Sequence, residues 1–140
     1  MQAVARWLFI LALSLTPALA PALTHAEGDP AAFRTVIQSQ LEAFQRDDGS
    51  AAFAHASPTI KGIFGTPENF MRMVMSGYPQ VYRPRSVDFG AVIDYRGQPT
   101  QLVYLTGPDG DAVIAYYQMQ QQPDGTWQIN GVFLEPVSNV

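Results

Sequence analysis

The chain has 140 residues, with eight basic against twelve acidic side chains, two histidines and no cysteine. Disulfide, thiolate and cysteine-linked lipid-anchor chemistry are therefore excluded, and two histidines are too few to nucleate an ordinary zinc site of three or four ligands. An acidic chain without a basic patch also argues against nucleic acid, whose binding depends on neutralising phosphates. The expectation is no metal, no cofactor and no nucleic-acid partner.

Residues 1–26 read as an export signal. Arg6 is the only charge ahead of an apolar run over residues 7–15, which Thr16 and Pro17 close and small residues follow. A bilayer span needs about 20 apolar residues, more than this run supplies before Pro17 and Pro21. Membrane association is expected only through an uncleaved signal. Ala18-Leu19-Ala20 and Thr24-His25-Ala26 both offer small residues for cleavage. Proline after the first site fits a protease poorly, so the expected mature chain is residues 27–140, one periplasmic or secreted domain. His55 is then its only histidine, and seven basic residues face twelve acidic ones.

The first half of that domain carries helical signals. Asp29-Pro30 reads as an N-cap and first helical residue, and Phe33, Val36, Ile37, Leu41 and Phe44 follow at spacings of three and four. The spacing predicts a helix to about Arg46. Asp48 or Ser50 caps a second short helix reaching Ala56, and Ser57-Pro58 ends it. Residues 59–64 form a further turn with Ile60, Ile63 and Phe64 inward. Thr66-Pro67-Glu68 starts another helix through Phe70, Met71, Val74 and Met75, which Gly77 stops. Of its methionines, Met71 and Met75 share a face and Met73 points elsewhere, all read as packing. Pro79 and Pro84 then stiffen an extended path through residues 78–85.

The second half changes period. Val87, Phe89, Ala91, Ile93 and Tyr95 alternate with Asp88, Gly90 and Asp94 as one face of a half-buried strand. A turn over residues 96–99, a strand over residues 101–106, the turn Pro108-Asp109-Gly110 and a strand over residues 112–121 follow. Pro123-Asp124-Gly125 turns the chain into a last strand, residues 126–135, with Trp127, Ile129, Gly131 and Phe133 on one face. The expected fold is α+β: N-terminal helices, then a curved four-stranded antiparallel meander. That element order is shared with cone-shaped folds, in which the sheet curls around the first helix and leaves a pocket.

Several strings carry a resemblance. Gln40-Leu41-Glu42-Ala43-Phe44, Asp47-Asp48, Ala52-Phe53 and Ala56-Ser57-Pro58-x-Ile60 are followed by Phe64-Gly65, Phe70, Met73-Val74 and Tyr78-Pro79-x-Val81-Tyr82-Arg83-Pro84. With Asp124-Gly125-x-Trp127-x-Ile129-x-Gly131 they resemble the bacterial domain of unknown function family 4864 over nearly the whole mature chain. The resemblance implies an exported protein and, loosely, a nuclear-transport-factor-2-like cone. It implies no catalytic residue.

Candidate chemistry is sparse. His55 could be a general base near neutral pH, or a half-buried side chain at a helix end. Asp47-Asp48 lacks the ordered oxygens of a calcium loop and reads as capping. Tyr78, Tyr82, Arg83 and Arg85 join the helical half to the sheet. The arginines could hold a carboxylate or phosphate, or pair with Asp88 or Asp94. Two functions follow. One is a non-enzymatic module of the envelope that binds a small apolar ligand or an envelope protein through His55, Tyr78, Tyr82, Arg83 and Arg85. The other is a small isomerase or dehydratase with His55 or Asp88 as base and a tyrosine as hydrogen-bond donor. The absence of a credible catalytic set favours the first.

Overall fold

The computed structural model describes residues 28–137. The signal segment and its cleavage site lie outside the described residues. Five helices come first: α1 (Pro30–Gln45), α2 (Gly49–Ala54), α3 (Pro58–Phe64), α4 (Pro67–Gly77) and α5 (Pro79–Tyr82). Four strands follow: β1 (Ser86–Tyr95), β2 (Gln98–Thr106), β3 (Ala112–Gln121) and β4 (Trp127–Pro136). They form one antiparallel sheet in the order β1-β2-β3-β4. The α+β reading holds, with helices first and an open curved sheet after them.

The helix starts are set by local chemistry. Asp29, Asp48, Ser57 and Thr66 each accept a backbone N–H three residues on, so four helices begin with a side-chain cap. Asp48, not Ser50, caps α2, and α2 ends at Ala54 rather than Ala56. Residues 79–82 are a turn of helix rather than an extended path. Pro79 occupies a first helical position there, where its missing N–H costs nothing.

One face of α1 supplies much of the core. Phe33, Ile37, Leu41 and Phe44 are buried against Val103, Leu105, Ala115, Tyr117 and Ile129 of the sheet. Phe33 meets Trp127 edge to face at 4.8 Å between ring centroids, joining the start of α1 to the start of β4.

Two bulges overturn the simple alternation expected for β1 and β4. Phe89 pairs with Val103 and Val92 with Gln101, so Gly90 and Ala91 together oppose Leu102. The extra residue reverses the phase. Val87, Phe89 and Val92 pack on the core, while Tyr95 lies on the outer face against Tyr116 and Phe133. The buried Gln101 amide donates to the carbonyls of Gly90 at 2.9 Å and Leu102 at 2.8 Å, serving groups that the bulge disturbs. In β4, Ile129 pairs with Met119 and Gly131 with Gln118, leaving Asn130 as the extra residue. Trp127, Ile129, Val132 and Leu134 therefore share the core side, and Phe133 stacks on Tyr116 at 4.4 Å outside.

The turn between β1 and β2 is a two-residue hairpin with Arg96 at φ 53° and Gly97 at φ 82°. Positive φ at both central residues suits the right-handed twist of the flanking strands. Asp94 Oδ1 accepts the Gly97 N–H at 2.7 Å and fixes it.

Tyr117 is fully buried, and its hydroxyl has no hydrogen-bond partner among the described residues. Tyr117→Phe removes a desolvated, unpaired hydroxyl and is expected to raise the unfolding free energy by about 1 kcal/mol, read by urea unfolding at pH 7. Burial also pushes the phenol's pKa well above its ordinary value. The folded state then keeps a proton that the unfolded chain releases near pH ~10, so this contribution is full below that pH and is lost above it. Tyr117→Phe should flatten the alkaline arm of the stability profile; a less stable variant at pH 7 would show that the hydroxyl is paired.

Candidate functional site

Beneath α3 lies a cavity of about 350 Å³. Its walls come from α1, α3, α4 and α5, the segments joining them, and one strand. Gln40 and Phe44 of α1 form the back, and Phe70, Met73 and Val74 of α4 form one side. Ile129, Gly131 and Val132 of β4 form the floor, with Tyr78 and Val81 at its end. Ala56 and the α3 residues Ile60, Ile63 and Phe64 complete it. Ile63 is 67% exposed and stands at the mouth, which corrects its expected inward position. No residue of α3 is fully buried, and Ile60 and Phe64 border this space while packing against the core.

The cavity exists because α2 and α3 are strapped to the free edge of β4. The His55 carbonyl accepts the Ile129 N–H, and the Ser57 N–H donates to the Ile129 carbonyl, both at 2.8 Å. Ala56 thus forms a parallel bridge to Ile129. The Ser57 hydroxyl caps α3 through the Ile60 N–H at 3.3 Å and lies 2.8 Å from Asn130 Oδ1. Asn130 is the bulge residue, so the kink in β4 also brings its side chain to the strap. Gly131 follows as part of the floor, where a Cβ would come 2.9 Å from Gln118 Oε1. A side chain at 131 requires Gln118 to move.

Polar groups around the cavity are mostly committed. The Gln40 amide donates from Nε2 to the Ala52 carbonyl at 3.1 Å. The Tyr78 hydroxyl donates to the Val132 carbonyl at 3.1 Å. Among the described residues, no charged side chain lines the space.

The sequence-derived candidates separate into different places. Tyr78 lines the cavity. Tyr82 and Arg83 build a surface clasp on Asp47 instead of pairing with Asp88 or Asp94. The Arg83 guanidinium donates to both Asp47 carboxylate oxygens at 3.0 and 3.1 Å and to the Phe44 carbonyl at 2.5 Å, near the end of α1. The Tyr82 hydroxyl donates to Asp47 as well, and the Arg83 guanidinium lies 4.0 Å from the Tyr82 ring centroid. The Tyr82 hydrogen bond, and then Arg83, hold the Asp47 carboxyl below its ordinary pKa; the same bond raises that of Tyr82. Asp47 and Asp48 border a separate open, polar hollow with Glu68, Met71 and Met75. Arg85 and Asp88 are exposed, and neither lines the cavity. His55 is half-buried outside the lining, and burial, then the charge of Lys61, lowers its pKa.

Sequence reasoning missed the rest of the lining. Met73, in the opposite phase to Met71 and Met75, was the one available signal, because it packs toward the cavity while Met75 is 52% exposed.

A family described as "Domain of unknown function (DUF4864)" matches residues 26–140, and the chain belongs to it. No curated protein and no solved structure matches the chain. The likeness to the nuclear-transport-factor-2-like cone thus stands on element order alone.

The Asp47 clasp predicts a pH dependence. A depressed folded-state pKa contributes stability that is present above the unfolded value and lost as pH falls through the folded one. Asp47→Asn should melt below the parent at pH 7, and the gap should close on titration toward pH 2. A gap independent of pH would mean that the carboxylate charge does not brace α5.

Proposed function

We propose that this family member is an exported, non-enzymatic binding module that takes a small apolar ligand into the cavity beneath α3. The observation that carries the reading is the lining: about 350 Å³ walled by aliphatic, methionine and aromatic side chains, opening past the exposed Ile63. The volume lies at the lower end of the range for small-molecule sites, about 300–1,000 Å³. At roughly 30 Å³ per water-sized group it accepts about a dozen non-hydrogen atoms. A concave space of that size suits a small molecule better than a protein partner. Neither His55 nor Asp88 lines it, so the acid–base alternative has no base inside this cavity.

Export is supported by Arg6, the apolar run after it and the small residues before Glu27. N-terminal sequencing of the protein recovered from the cell envelope or medium should begin at Glu27. A chain recovered with residues 1–26 intact would overturn that part.

Binding is tested with 1-decanol by thermal shift and calorimetry. A ligand that binds only the native state at 100 times its Kd stabilises it by about 2.7 kcal/mol. Met73→Trp fills the space and should weaken decanol at least tenfold while the variant still melts cooperatively. No shift with decanol, or equal binding by Met73→Trp, would sink the reading.

A further inference from the structure

α1 and the core lie on one side of the sheet. Leu102, Tyr104, Ile114, Tyr116, Phe133 and Tyr95 belong to the other side, outside the core cluster, and Tyr104 is 43% exposed. The strand register sets them in rows: Asp88, Tyr104, Ile114 and Glu135 across one, Leu102, Tyr116 and Phe133 across the next. Their rings give this face relief as well as apolar area. Tyr116 and Phe133 stack at 4.4 Å and within 9° of parallel. That distance is about the spacing of adjacent strands, so the rings stand upright with their edges outward. Tyr95 leans in to 5.2 Å from Phe133. Beside this ridge the Tyr104 ring lies down over β1, where a Cβ at Gly90 would come 2.6 Å from it. Upright rings offer edges rather than faces to a planar ligand, whereas a ridge beside a ledge interdigitates with a second packed sheet.

The charges at the two ends of the face make it complementary to itself. Asp88 and Glu135 flank the Tyr104 row at one end of the strands. At the other end the Arg96 guanidinium lies 5.4 Å from the Tyr95 ring centroid. Asp88 and Arg96 are both exposed, and neither is in an ion pair among the described residues. A two-fold axis running across the strands exchanges the ends, so each β1 lies over its copy with Arg96 at the other's Asp88, twice over. Along β4 the same exchange brings Glu135 to the end that carries Gln128, whose amide can donate to a carboxylate. We infer that two copies of this chain pack outer face to outer face about that axis. Four strands of nine or ten residues cover a footprint of about 600 Å². Two such faces bury about 1,200 Å², the lower end for a stable specific interface, so the faces must overlap almost completely. The acids on the face disfavour an anionic bilayer as the occupant. None of the six residues lines the cavity, so the inference stands apart from the ligand reading.

Sedimentation velocity of the protein as the cell processes it, over about 1–100 μM, tests this in the range where the weaker interfaces of this size dissociate. A species of twice the chain mass is expected. Tyr104→Glu puts a charge on an exposed side chain of the face and should raise the dimer's Kd at least tenfold while the variant still melts cooperatively. Asp88→Arg and Arg96→Glu should each raise it by about threefold or more, and the two together should return it to within about threefold of the parent. A purely structural role for either residue would not be mended by the exchange. A monomer throughout overturns the inference, whichever other partner the face then takes. A dimer that Tyr104→Glu leaves intact places the contact elsewhere and overturns it as well. A dimer broken by Tyr104→Glu but not mended by the exchange keeps the face and overturns the exchanged-end arrangement.

Discussion

The backbone of Ile129 ties the segment between α2 and α3 to the edge of the sheet. As the last strand in the sheet order, β4 has an edge whose N–H and C=O groups need partners. Ile129 satisfies both of its outward groups on the strap, through His55 and Ser57. That pair of bonds occupies the edge at Ile129 and fixes where α2 ends. It also sets where α3 starts, with Ser57 as its cap. Farther along β4, the Tyr78 hydroxyl takes the Val132 carbonyl, so the junction after α4 closes more of the same edge. Between the two ties lies the floor of the cavity. The space is thus framed by edge protection rather than left over from poor packing.

Much of this fold was legible because its signals are local. The Asp29 and Thr66 caps need only the few residues after them, and the periodicity of α1 reports its buried face directly. The turns at Asp94–Gly97 and Asp124–Thr126 are likewise written in adjacent residues. The bulges were not legible. A strand with an extra residue has the same composition as one without it, and only the partner strand shows that Gly90-Ala91 or Asn130 is out of step. Tyr95 and Phe133 therefore read as core residues and stand on the outer face. Residues 79–82 were misread because proline is equally at home in an extended segment and at a helix start.

The site was less legible than the fold for a different reason. Catalytic and metal sites announce themselves through polar residues in telling arrangements, whereas an apolar cavity uses the residue types that fill cores. Ile60, Val74 and Val132 carry no mark that separates lining from packing. The polar residues that attracted notice, Tyr82 and Arg83, form a brace between α5 and the end of α1 on the surface. Only Tyr78 among the five sequence-derived candidates borders the cavity, and it does so with its hydroxyl already bonded to β4.

The energetics of the space point the same way as its lining. A dry void costs about 24 cal/mol per Å³, so a sealed and empty 350 Å³ would cost about 8 kcal/mol, comparable with the whole stability of a small domain. The fold therefore cannot hold this space both closed and vacant. Its opening past Ile63 admits water, but water within it finds few polar partners, since Gln40 and Tyr78 are the only polar side chains on its described walls and both already donate elsewhere. An alkyl group replaces that poorly bonded water and regains the contacts that α3 lacks. Those contacts would fall on a seven-residue helix with no buried side chain, capped by Ser57 and ended by Gly65 at φ 76°. The element least held by the empty protein is the one that an occupant would hold most.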